Sequence, residues 1–251
     1  MSVFYRKRML FLLLTLSYLL FTYNYFRGWW YAAAGTLLIV LFSYLIWGKG
    51  FLSRIGLEQG WRAALRSLLL ACLLLAVAYL IMHHIAGRHH VLITHTSWHS
   101  YFHDAFYVLN EELVLGAILL FGLVREVRIP PVLASVFLAI FFSAVHYVFY
   151  RCVFDETGIL ECSTLFTLFL VGLVRNNLIF QTGQIGYSWA LHFGWMAVMF
   201  GTQHTDLDSG IRITEPERFN MYLGSTEMIV ISVVLAGLSV LFWTRRNAQR
   251  L

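Results

Sequence analysis

Runs of about 20 apolar residues recur along the whole chain. That recurrence constrains the fold more than any other feature. A helix rises about 1.5 Å per residue, so each run can cross the roughly 30 Å hydrocarbon core of a bilayer. Only 12 % of the 251 residues are charged, about half the share of a soluble domain. The expected fold is therefore all-α, a polytopic transmembrane helical bundle of about eight spans. It forms a single membrane domain over residues 1–251. The spans read as 9–26, 29–48, 67–86, 105–124, 131–150, 159–180, 183–201 and 226–244. The first is too long for a signal-peptide core and lacks a convincing cleavage site, so it reads as a retained helix.

An even number of spans puts both termini on one side. With these boundaries 13 of the 18 basic residues fall on the side of the termini, Arg175 among them. The other five are Arg27, Arg88, Arg151, Arg212 and Arg218. The positive-inside rule then makes both termini cytoplasmic. The net charge of +5 is topology charge facing anionic lipid, so the bilayer is the expected partner and no nucleic acid is needed to explain it. Cys152 and Cys162 bracket a short outer loop. They read equally as a disulfide in an oxidising compartment or as two free thiols.

Within the fourth run stand two adjacent carboxylates, Glu111 and Glu112. A charge near mid-bilayer costs about 3 kcal/mol on insertion scales, and two of like sign also repel. Such a pair is kept for chemistry, ion conduction or as a counter-charge. The fifth run contains Phe142 and, four residues on, His146, on one helical face. The seventh contains His192 near its middle. With these spans Glu111 lies about a third of the way in from the outer side, His192 about halfway and His146 nearer the outer end. Helix tilt can absorb such differences. A carboxylate in an apolar setting can take a proton from water. Histidines can orient that water or stabilise an oxyanion. The four residues suffice for peptide hydrolysis without a covalent intermediate. They are also acceptable zinc or iron ligands, although the helical zinc-protease pattern His-Glu-x-x-His is missing.

The order of these residues resembles a known family. Glu-Glu in one span is followed by Phe-x-x-x-His in the next, then by Thr182-Gly183 and His192. This is similar to the glutamic intramembrane proteases that include type II CAAX prenyl endopeptidases and bacteriocin-processing proteins. The resemblance covers about residues 105–200. It implies that Glu111 is the base that activates water and that Glu112 supports it. It also implies that His146 and His192 orient water or stabilise the oxyanion, with no cofactor and no metal. Its substrate would be a membrane-anchored protein or peptide. Some branches resemble sorting enzymes of secreted bacterial proteins, which implies a bacterial inner membrane. The chain departs from the family pattern twice. Gly116 stands where Glu-Glu-x-x-x-Arg has arginine, and Met196 stands where His-x-x-x-Asn has asparagine. Asn110, next to the pair, is a candidate substitute donor.

Two other readings compete. A catalytically impaired immunity or scaffold protein would look the same in sequence. A haem or metal oxidoreductase is suggested by His83, His84, His89, His90, His95, His99 and His103. The last three are spaced by four and would share a face if that stretch is helical. Thr94, Thr96 and Ser97 make a loop equally plausible there.

Overall fold

The computed structural model describes residues 29–58, 60–148 and 160–248. The expected first span and Cys152 lie outside them. The described residues form helices α1 (Trp29–Trp47), α2 (Trp61–Arg88), α3 (Trp98–Glu111), α4 (Pro131–Val148), α5 (Cys162–Thr182), α6 (Gly186–Gly201), α7 (Glu215–Leu223) and α8 (Thr226–Ala248). Beyond Glu111 the axis of α3 continues to Glu126 through two π-helical segments, Glu112–Ile118 and Gly122–Glu126. Five helices are long and apolar enough to cross a membrane, or six if the bent pair α7 and α8 counts as one span. The result is a helical bundle and an integral membrane protein.

The outward faces carry apolar stripes. Leu37, Leu41 and Leu45 on α1 and Leu69, Leu73 and Leu80 on α2 are all exposed. In water such stripes would drive association, whereas in lipid they are the solvated surface. Inside the bundle α6 packs chiefly on α2 and α3, while α5 packs on α4 and α8. Gly194 permits the first of these approaches, because a Cβ there would lie 2.9 Å from the backbone of Leu75. Helix α5 ends where Gly183 adopts a left-handed conformation (φ 72°). This is the Thr-Gly turn visible in the sequence, and it directs the chain into α6. Asn110 is committed to packing: its amide donates to Ala32 O (2.9 Å) and accepts from Thr36 Oγ1 (2.7 Å). It is therefore spent on α1 and is not a donor to the site.

Two stretches read as loops from hydropathy contain an antiparallel pair of strands. Strand β1 (Val91–His95) runs against β2 (Thr202–Asp206), with Val91 opposite Asp206 and His95 opposite Thr202. Helix α3 then starts at Trp98, seven residues before the expected span, because its first turns carry His99, Ser100, His103 and Asp104 and lower the local hydropathy. His95 is thus on a strand and His99 and His103 are on a helix, so the three do not share a helical face. Among the described residues no three His, Cys, Asp or Glu side chains converge as a metal site would require.

Beneath the sheet lies a second polar cluster. His204 is 1 % exposed and its ring packs edge-on against Tyr222 at 5.3 Å. Arg218, counted above as an outer-face charge, is buried and donates to Met199 O (2.8 Å). Burial, and after it the charges of Arg218 and Arg212, push the His204 imidazole down to about 3 from its ordinary 6.5. Between those values the unfolded chain binds a proton that the folded one refuses. Stability is therefore full above pH 6.5 and declines as pH falls towards 3. Amide exchange of β1 and β2, corrected for intrinsic rates, is expected to quicken on acidification through this window. His204→Gln should flatten the response.

Candidate active site

The first link in the site is a change of helix type. The α-helical hydrogen bonding of α3 gives way to π-type bonding at Glu112, a feature that recurs at functional sites. Both carboxylates point into the bundle: Glu111 is 3 % exposed and Glu112 is fully buried. The cost of that burial is met from α6. His192 Nδ1 lies 3.0 Å from Glu112 Oε1, and its Nε2 lies 3.6 Å from Glu111 Oε2. One imidazole thus spans the two carboxylates, and a proton on either ring nitrogen is shared with one of them. The longer contact has the length at which a water molecule bridges or a carboxylate is held by charge alone.

His146 approaches from α4. Its Nδ1 lies 2.8 Å from Phe142 O. A carbonyl only accepts, so Nδ1 carries the proton and Nε2 holds the lone pair of the neutral ring. The Phe142 ring is the hub of the site. It meets His146 edge-on at 4.5 Å and His192 edge-on at 5.9 Å. All four residues singled out in the sequence therefore gather in one region: Glu111, Glu112 and His192 in direct contact, and His146 across the Phe142 ring.

Sequence reasoning missed Arg175. It was counted as inner-face topology charge, but it is 2 % exposed inside the bundle. With Arg218 also buried, the basic residues that can set topology divide 12 to 4 instead of 13 to 5. The Arg175 guanidinium lies over the ring of the same hub, 4.3 Å from the Phe142 centroid. Its Nη2 donates to Asn176 Oδ1 (3.3 Å) and reaches Leu115 O at 3.5 Å. Its Nη1 is buried with no hydrogen-bond partner among the described residues. A buried arginine is tolerable only near negative charge or a π face, and here it lies next to the helical turn that carries Glu112. The available signal was its position: Arg175 stands well inside the run 159–180, with Asn176 and Asn177 beside it and apolar residues on both sides of the three.

At Gly116 a Cβ would lie 2.6 Å from Ile179 Cδ1 on α5 and 3.2 Å from Glu112 Oε2. The bare glycine lets α5 close on the π-helical segment, and the same helix carries Arg175 to Leu115 O. Met196 is buried on the wall of a cavity of about 120 Å³ that also has His146 and His192 in its wall. The rest of that wall is almost entirely apolar.

Fold and site together define a polytopic helical membrane protein with a buried Glu-Glu-His cluster and a nearby histidine beside an apolar cavity. The chain matches no family model, and no curated protein or solved structure matches it.

Proposed function

We propose that the chain is an intramembrane endopeptidase of the glutamic type, acting on a membrane-anchored protein or peptide. The observation that carries this reading is His192 between Glu111 and Glu112, with His146 across the Phe142 ring. Glu111 takes a proton from a water molecule as the water oxygen attacks the carbonyl carbon of the scissile bond. The lone pair on Nε2 of the neutral His146 ring accepts a hydrogen bond from the water's other hydrogen and orients the water for attack. Glu112 holds His192, and His192 keeps the Glu111 carboxylate in place. Glu111 then passes its proton to the leaving nitrogen, the C–N bond breaks and the carboxylate is restored. Arg175 supplies positive charge close to the paired carboxylates.

Within the same proposal the chain crosses a bacterial inner membrane eight times, with both termini cytoplasmic. The bias of basic residues towards that side supports this orientation.

The test uses the full chain in lipid nanodiscs with single-span reporter peptides. Cleavage is expected to survive strong chelators and to fall at least 10-fold in His146→Ala, within the range for a general acid–base group. Cleavage that is lost to chelator and restored only by added metal would overturn the mechanism.

A further inference from the structure

Most of the wall of the cavity beside the site is built from residues that no catalytic step uses. It includes Leu74 and Ala78 of α2, Leu191 of α6 and Met228 and Ile231 of α8, and the two site histidines, His146 and His192, complete it. Helices α2 and α8 both line it, and the polar contacts between them lie at their ends, where Arg88 donates to Glu227. Their outer faces beside the cavity are apolar, with Leu73, Leu80, Val230 and Val234 each more than half exposed. Lipid is the medium against those faces.

We infer that this cavity is the specificity pocket of the proposed protease. It takes one large apolar side chain next to the scissile bond of a substrate that reaches the site laterally, between α2 and α8. The inference rests on the catalytic reading above. Two observations select a peptide side chain as the occupant. The cavity holds about 120 Å³, and a dry cavity of about 150 Å³ accepts a six-carbon ring, so a Leu, Met or Phe side chain fits while a long acyl chain does not. The two histidine rings place the pocket within one residue of any bond that reaches Glu111.

The experiment offers the full chain in nanodiscs a library of single-span peptides with randomised central residues. Cleavage sites are read by mass spectrometry. Wild type is expected to show one position flanking the cut dominated by Leu, Ile, Met or Phe. Leu should be preferred over Ala there by at least 10-fold, since a single methylene in such a pocket discriminates about 10-fold or more. Ala78→Phe, and Ile231→Trp from the facing wall, should each shift the Leu:Ala ratio at least 10-fold towards Ala. Equal cleavage of Leu and Ala peptides by wild type, or an unchanged ratio in both filled variants, would overturn the pocket. Glu111→Gln on the same library separates the two claims. Cleavage that persists in it sinks the catalytic reading, whereas lost cleavage with unchanged preference in the filled variants sinks only the pocket. A readout independent of turnover uses the same peptides carrying photo-leucine with Glu111→Gln. Crosslinks are expected to residues 74–81 and 228–235 and to be lost with Ala78→Phe. Crosslinks only elsewhere, or only from a photoreactive lipid, would overturn the assignment.

Discussion

Glu111→Gln is expected to lower reporter cleavage at least 100-fold while leaving the amount of folded protein in the membrane unchanged. Glutamine has the shape of glutamate, so the packing around a side chain that is 3 % exposed is preserved. What disappears is the ability to accept a proton, and general bases contribute about 10²- to 10⁴-fold. Stability should not fall with activity. The substitution loses the charge contact to His192 at 3.6 Å but also removes one of two neighbouring buried anions. Relief of the repulsion between two adjacent like charges offsets the lost contact. Cleavage kinetics alongside quantified membrane abundance make the comparison. Unchanged cleavage in the variant would overturn Glu111 as the base, whereas no cleavage by wild type would hand the protein to the scaffold or immunity reading.

Gly116→Arg should deplete the folded protein. The new Cβ would meet Ile179 Cδ1 at 2.6 Å, and Ile179 is itself fully buried. Overpacking of this kind costs about 1–3 kcal/mol. A second guanidinium would also enter a region that already holds the buried Arg175. Gly116→Ala carries the steric part alone and should lower the thermal midpoint in detergent. Adding Ile179→Val to Gly116→Ala removes the colliding Cδ1 and should recover most of the loss. If Gly116→Arg accumulates normally, the close packing of α5 on Gly116 is wrong.

Gly116 and Arg175 show where one-dimensional reading stops. In sequence Arg175 is 59 positions from Gly116, among residues assigned to the inner face. Helix packing joins them, since the bare backbone at Gly116 lets α5 approach and α5 carries the cation. Asn110 failed as a substitute donor for a similar reason. Its position beside Glu111 was visible, but its commitment to Ala32 O and Thr36 Oγ1 depends on where α1 lies. The strands β1 and β2 were hidden because Val91–His95 and Thr202–Asp206 are 111 positions apart at matching ends, and a pairing between distant segments leaves no local period.

Local physics was enough for the helices and for the four site residues. Apolar runs of bilayer length mark spans wherever they occur, and ionisable groups inside such runs are too costly to be idle. Those signals placed α1, α2, α4, α5, α6 and α8 within a few residues of their ends and singled out Glu111, Glu112, His146 and His192. The tertiary structure alone decided that His192 lies between the two glutamates, that Phe142 touches both histidines and Arg175, and that α2, α6 and α8 line one apolar cavity beside them. Burial cost is a property of a residue and its immediate neighbours, so a sequence records it. Distances of 3 to 6 Å between helices depend on how closely whole surfaces fit, and that is set by residues such as Gly116 and Gly194 whose importance is invisible until the helices are packed.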